Sequence, residues 1–389
     1  MKSNYDVLGN HIRLIDNRNS DLVTEQVLGI NIDKFFMPSV ANVIGTDLSK
    51  YKLIQKGKFA CNPMHVGRDE RLPVALYTSD EPAIVSPAYF MFEIIDESIL
   101  NPEFLMMWFR RTEFDRVCWL HTDGSVRGGI TWDDLCRLEI PVPSTEEQLS
   151  IVKSYKSITE RIEIKKQIND NLEATAQAVF QELFGSYYGD ADLPEGWRFD
   201  KLENLCTIKG GKRLPADCEL LDTPTNHPYI RVRDVGNGRF VCLTNQFQYI
   251  DDETHSAISR YIVNEGDVVI SIVGTIGLIG KVHRSLDKAN LTENCVKLTD
   301  VHSITSDYLY YTLCYKKQTK EIELLTVGAV QAKLPMYNIQ AMKTLVPPKS
   351  VIEDFQRKID VFNSQIEANT VEIQRLFELQ EVLLAKLSD

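Results

Sequence analysis

Residues 151–183 and 355–387 of this chain carry the same 4/3 alternation of apolar side chains, 204 positions apart. In the first stretch the seam reads Ile151, Tyr155, Ile158, Ile162, Leu172, Ala176, Val179 and Leu183, interrupted by Lys165 and Asn169. In the second it reads Phe355, Ile359, Phe362, Ile366, Ile373, Leu376, Leu383 and Leu387, interrupted by Asn369 and Gln380. Only this spacing keeps one stripe of a long helix turned toward a partner helix. Each stretch predicts a helix of roughly 50 Å at about 1.5 Å per residue. The two are expected to pair with each other. The polar seam residues either set the register of that pairing or sit at its solvated edge.

The 204 offset continues upstream, so the chain reads as two copies of one plan. Phe104 to Phe109 lies over Tyr308 to Leu313, Ile130 over Leu334, and Val142-Pro143 over Val346-Pro347. Further back the offset drifts. Lys52 to Phe59 matches Tyr261 to Val268 at 209, and Val7 to Asn10 matches Lys201 to Asn204 at 194. Insertions therefore fall in the globular parts, while the helices keep their length. The segments are a mixed domain at 1–143, a helix at 144–185, a second mixed domain at 186–348 and a second helix at 349–389. Pro141 and Pro143 end the first domain, and Pro347-Pro348 the second. Ser144 with Glu147, and Ser350 with Glu353, read as capping boxes opening the helices. Asn101 before Pro102 caps a helix predicted to run to Arg116.

Composition narrows the function. The net charge of −12 excludes a protein that coats nucleic acid indiscriminately, though not local basic loops. No apolar run reaches membrane-spanning length, and the first residues do not read as a signal peptide. The eight cysteines show no Cys-x-x-Cys spacing and the seven histidines no ligand spacing, so neither metal nor disulfides are expected. The cysteines read as reduced thiols in a cytoplasmic protein.

Catalytic motifs fare no better. Gly274-Thr275-Ile276-Gly277 lacks the order of a dinucleotide loop and reads as a tight turn. Asn62-Pro63-Met64-His65 has Met and His where an amino-methyltransferase needs proline and an aromatic. No catalytic residue is assigned.

Several stretches occur in an ordered, duplicated set. They are Leu193-Pro194-Glu195-Gly196-Trp197 with Lys201-Leu202, Gly274 to Gly277, Glu139 to Pro143 with Glu147-Gln148, and Asn62 to Arg68. With that set, the whole chain resembles the specificity (S) subunit of type I restriction-modification systems. The N-terminal copy departs from it by lacking the Leu-Pro-Glu-Gly-Trp entry. The resemblance implies an α/β (α+β) chain with two similar target-recognition domains and an internal pseudo-twofold repeat. Its two long helices would form an antiparallel coiled coil that spaces the two halves of a bipartite DNA site. It further implies double-stranded DNA, two modification subunits and, through the complex, restriction subunits as partners. No cofactor is expected on this chain, with S-adenosylmethionine, ATP and magnesium on the partner subunits.

Phosphate contacts need cations, and base edges need Arg, Asn or Gln. In the first domain the candidates are Arg68, Arg71 and Arg127. In the second they are Lys209, Lys212 and Arg213 around Gly210-Gly211, then Arg231 and Arg233, then Gln331 and Lys333. Each is equally readable as a solvated surface charge; glycine-flanked basic loops in both copies make the group more telling than any member. Two rivals stay open: the specificity chain of a type IIB-like or stand-alone methyltransferase, and a coiled-coil scaffold whose heads bind protein.

Overall fold

A computed structural model describes residues 4–40, 45–64, 66–122, 128–188, 192–236, 238–328 and 332–388. The chain divides into two compact units, 1–160 with 377–389, and 161–376. Both long helices, Thr145–Phe184 and Lys349–Ala385, contribute to each unit.

In the first unit Tyr5–Val7 pairs antiparallel with Glu139–Pro141, bringing the start of the globular part to its end. Ser144 Oγ then accepts from the Glu147 amide at 3.3 Å and opens the helix. One sheet has the strand order Ile12–Leu14, Phe90–Ile94, Phe59–Cys61, Val74–Leu76. The other runs Phe36–Pro38, Val27–Ile30, Ala83–Val85, Lys52–Ile54, with its middle pair parallel. Phe59 and Phe92 stack across neighbouring strands at 5.0 Å, and Phe109 meets Phe59 edge-on. Val152, on the first long helix, and Leu387, in the short 3-10 turn just after the second, join the same core.

The helix expected over 102–116 is two helices, Pro102–Phe109 and Thr112–Leu120. An unbroken helix would set Phe109 and Phe114 about 140° apart around its axis. The break at Arg110-Arg111 lets both rings into one core, 4.9 Å apart. At the start of the first, Asn101 Oδ1 accepts from the Glu103 and Phe104 amides at 2.9 and 3.1 Å.

The second unit repeats this plan. Arg198–Lys201 pairs with Lys343–Val346. Its larger sheet runs Thr207–Gly210, Cys295–Thr299, Val268–Ser271, Ile279–Val282, Phe240–Val241, the last strand having no counterpart among the described residues of the first unit. In the smaller sheet His227–Ile230 again runs parallel to its neighbour, Asn290–Leu291. The two copies match down to single atoms. Asp6 Oδ1 accepts from Val7 N at 2.8 Å and Asn10 Nδ2 at 2.9 Å. Asp200 Oδ1 accepts from Lys201 N at 2.9 Å and Asn204 Nδ2 at 2.8 Å. Leu8 and Leu202, fully buried beside them, donate to Leu138 O and Met342 O.

Every seam residue of both helices is buried or half-buried. Within the second unit the helices run antiparallel, Lys165 meeting Asn369 and Phe180 meeting Phe355. Two features differ from the heptad reading. At its ends the first helix buries Val152, Phe180 and Phe184 more fully than the seam residues Ile151, Val179 and Leu183. There it packs on a globular core, and a straight helix drifts off a 3.5-residue repeat by about 20° per heptad. The second helix begins at Lys349, with Pro348 O accepting from Val351 and Ile352, so Ser350 lies inside the helix instead of capping it.

Candidate nucleic-acid interface

Close backbone approaches gather the loops of the second unit at one end of the strands of the larger sheet. Gly211 N donates to Cys295 O at 3.0 Å and Lys212 N to Leu291 O at 2.8 Å. A Cβ on Gly211 would sit 2.0 Å from Thr292 O, so only glycine allows this approach. Thr292 N donates to Ile230 O, which brings the turn carrying Arg231 alongside. Ile272 N donates to Asn294 O at 2.8 Å and Leu334 N to Ile272 O at 2.9 Å, adding the segment that carries Lys333. Lys212, Arg213, Arg231 and Lys333 are thus on contiguous loops. Lys209 lies exposed on the adjoining strand Thr207–Gly210.

Gly274 to Gly277 forms a tight turn at the same end of the sheet. Gly274 and Gly277 have φ of 80° and 75°, a region that strains other residues. Gly277 N donates to Ser271 O at 3.0 Å, and Leu278 N to Ser271 Oγ at 2.8 Å. These donors close the turn on itself and cannot also cradle a phosphate.

The cations differ in how committed they are. Arg213 is 81% exposed and held by Glu293 at 2.8 Å. Lys212 is exposed, its ammonium 5.8 Å from the Tyr261 ring. Arg233 is exposed, 3.9 Å from Asp234, and Lys333 is exposed. Exposed ion pairs contribute about 0–1 kcal/mol, so Arg213 and Arg233 can exchange a carboxylate for a phosphate at little cost. Arg231 is different. It is largely buried and bonds to Asp234, Gln246 O and Gln248, so it builds its own turn. Gln331 lies outside the described residues.

In the first unit Ile130 N donates to Pro63 O at 3.2 Å, the counterpart of the Leu334–Ile272 bond. A Cβ on Gly129 would lie 2.7 Å from Pro63 O. The segments that follow residues 127 and 331 are therefore held at equivalent points of their sheets. Arg71 is exposed and pairs with Asp33 at 3.0 Å. Arg68 lies on the short helix Val66–Asp69 with its side chain outside the description, and Arg127 lies outside the described residues altogether.

The polar seam residues form a layer between the helices. Asn369, 2% exposed, accepts from Lys165 Nζ at 3.0 Å and Gln365 Nε2 at 3.0 Å, and donates to Asn169 Oδ1 at 2.9 Å. Lys165 also reaches Glu372 Oε2 at 2.7 Å. The Lys165 bond, with help from Arg161, holds the Glu372 carboxyl below its ordinary value. In the first unit Gln380 donates to Thr159 Oγ1 at 2.7 Å.

Burial of charge went unread in the sequence. Gly236-Asn237-Gly238-Arg239 has the signature of a surface turn, yet Arg239 is 2% exposed and meets Asp307 at 2.5 Å. In the first unit Lys34, also buried, meets Asp115 at 2.7 Å, and burial pushes its ammonium down against that pairing. No local pattern marks either residue, because each partner lies roughly 70–80 positions away in sequence.

Among the described residues no group of His, Cys, Asp or Glu could hold a metal, and no helix is long and apolar enough to cross a membrane. All eight cysteines are unpaired, and burial pushes Cys206, Cys242, Cys295 and Cys314 up to about 12. At neutral pH these four are protonated thiols.

The family described as "Type I restriction modification DNA specificity domain" matches residues 75–174 and 194–383, more than half of the chain. The MjaIX specificity subunit of Methanocaldococcus jannaschii is 24% identical over 287 residues, which are 67% of this chain and 63% of that protein. The chain thus spans less than two thirds of that relative. The HindI specificity subunit of Haemophilus influenzae is 22% identical over 426 aligned positions, covering 91% of both chains. Among solved structures, the type I restriction-modification S subunit of M. genitalium is 15% identical. It covers 98% of this chain and 95% of its own, with a TM-score of 0.51, a likeness of fold alone.

Proposed function

The chain belongs to the type I restriction modification DNA specificity domain family, and from that membership we propose that it is the DNA sequence-specificity subunit of a type I restriction-modification complex. The single observation that carries the reading beyond the family is the matched pair of loop edges. The Ile130–Pro63 and Leu334–Ile272 bonds hold equivalent segments on two copies of one sheet, each following a stretch of sequence that carries a candidate for DNA contact, Arg127 in the first and Gln331 in the second. Two such readers on one chain suit a bipartite, asymmetric target, each reading one half.

In this reading the paired helices act as a spacer that sets the gap between half-sites. Half-sites read from one face of DNA lie about 34–36 Å apart or a multiple of it. Exposed Ile164, Ile168 and Val361 on the helices support docking of two modification subunits there, with restriction subunits joining through the complex. S-adenosylmethionine, ATP and magnesium belong to those partners, and this chain contributes no catalytic group. Arg71, Lys209, Lys212, Arg213, Arg233 and Lys333 are the described candidates for DNA contact, beside Arg68, Arg127 and Gln331. Arg231 serves by shaping its loop. The complex works on DNA in the cytoplasm.

The test is methylation mapping in cells co-expressing this chain with its modification subunit. The expected result is a motif of two short defined blocks around a fixed unspecified gap, absent when this chain is deleted. Methylation motifs that all survive deletion, with expression verified, would overturn the reading and favour a protein-binding scaffold.

A further inference from the structure

Arg239 lies at the hub of a buried network joining four segments of the second unit. Its backbone belongs to the sheet: Lys281 N donates to Arg239 O at 2.8 Å, next to the extra edge strand Phe240–Val241. Its side chain leaves the sheet. The guanidinium lies 4.7 Å from the Tyr310 ring and 4.8 Å from the Tyr311 ring, both on the helix Ser306–Gln318. Nη2 reaches Asp307 Oδ1 at 2.5 Å, and Nη1 lies 3.6 Å from Glu173 Oε2 on the first long helix. Asp307 Oδ1 also accepts from Lys281 at 2.6 Å. Its Oδ2 accepts from Gln356 at 2.7 Å and Asn363 at 3.2 Å, both on the second long helix. One carboxylate and one guanidinium thus tie the recognition sheet to both long helices.

This cluster is more elaborate than packing requires. Arg239 Nε and Nη1 make no hydrogen bond among the described residues, and the faces of Tyr310 and Tyr311 stand in for partners. Burying a guanidinium with only part of its donors satisfied costs stability that an apolar side chain would not. What an apolar contact lacks is direction. A planar fork stacked on two rings and clamped to one carboxylate admits a single orientation. The neighbouring contacts act in the same sense. Gln374 donates to Leu243 O just past the edge strand, and Glu367 lies 3.5 Å from both His283 and Arg284.

We propose that Arg239 is a positioning residue for DNA reading: with Asp307 and Glu173 it fixes the angle at which the second recognition domain stands on the helix pair, and so the phase of the second half-site. The proposal rests on the function given above. It predicts that loosening the hub relaxes the gap requirement before it abolishes binding.

The experiment uses the full chain in complex with its modification subunits and compares Arg239→Met, Asp307→Asn and Arg239→Lys. Methylation is measured on substrates with the cognate gap and with gaps one base pair longer or shorter, alongside circular dichroism and complex yield. In Arg239→Met and Asp307→Asn the ratio of cognate to off-gap methylation should fall at least about tenfold in assembled complex. Arg239→Lys, which keeps the charge but not the stacked fork, should fall between these and wild type. If Arg239→Met fails to assemble, Asp307→Asn, which keeps the guanidinium, decides. A wild-type ratio in folded complexes overturns the proposal, and so does a loss equal at every gap that tracks complex yield. A wild-type complex that shows no bipartite motif at all refutes the proposed function instead.

Discussion

Replacing Asn369 by alanine removes the centre of the polar layer between the helices while leaving the apolar seam on either side in place. Asn369 makes three side-chain hydrogen bonds, to Lys165, Gln365 and Asn169. At roughly 0.5–1.5 kcal/mol each, their loss amounts to about 3 kcal/mol. Lys165 retains Glu372 at 2.7 Å, so no charge is left alone, and the cost should stay near that figure. Lys165 and Asn369 are also equivalent positions of the two heptad frames. Asn369→Lys therefore sets a second ammonium beside that of Lys165 in a buried layer, and should cost more than alanine.

The assay is hydrogen exchange of the full chain, read in peptides covering 161–184 and 349–376. For Asn369→Ala these amides should open roughly 100-fold faster, since about 1.4 kcal/mol is tenfold. A double-mutant cycle with Asn169→Ala should show coupling of about 1 kcal/mol. Exchange accelerated less than about threefold, with coupling under about 0.3 kcal/mol, would refute the view that this layer is a specific interhelix contact.

Three further outcomes are expected. Phe355→Ala removes a fully buried ring lying 5.4 to 6.0 Å from Phe184, Phe180, Tyr311 and Tyr308, and should cost about 3–5 kcal/mol in denaturant unfolding; a change under about 1 kcal/mol would show that the aromatic cluster is not the unit's core. Burial opposes ionisation of Asp307, but Arg239 and Lys281 outweigh it and hold the carboxyl below its ordinary value. A folded value below the unfolded one of about 3.9 means stability present above pH 4 and lost as pH falls through the folded value. Asp307→Asn should be less stable at neutral pH and flatter in its acid response, and an unchanged acid slope in urea titrations would contradict this. Arg213→Ala should alter stability by no more than about 0.5 kcal/mol, its ion pair being exposed. In the DNA complex it should reduce the salt slope of binding by about one, and an unchanged slope would remove Arg213 from the interface.

Periodicity and local chemistry are legible in a chain because their causes lie within a few residues. The 4/3 alternation determined which faces of two long helices leave solvent. Asn101-Pro102 determined a helix start, and the Gly274–Gly277 spacing a turn. The offsets of 194, 204 and 209 determined that Leu8 and Leu202, or Ile130 and Leu334, would hold equivalent places. Tertiary structure decided the rest, because those choices depend on partners distant in sequence. Phe180 and Phe184 outrank the seam residues beside them because Tyr308 and Phe355 wait on that side. The helix predicted through Arg116 breaks because two phenylalanines must reach one core. Neither the role of Arg231 nor that of Arg239 shows in its sequence neighbours: one builds its loop and the other ties a sheet to two helices. A charge reveals its role only when the fold supplies its counter-charge, and for Arg239 the partner is 68 residues along the chain.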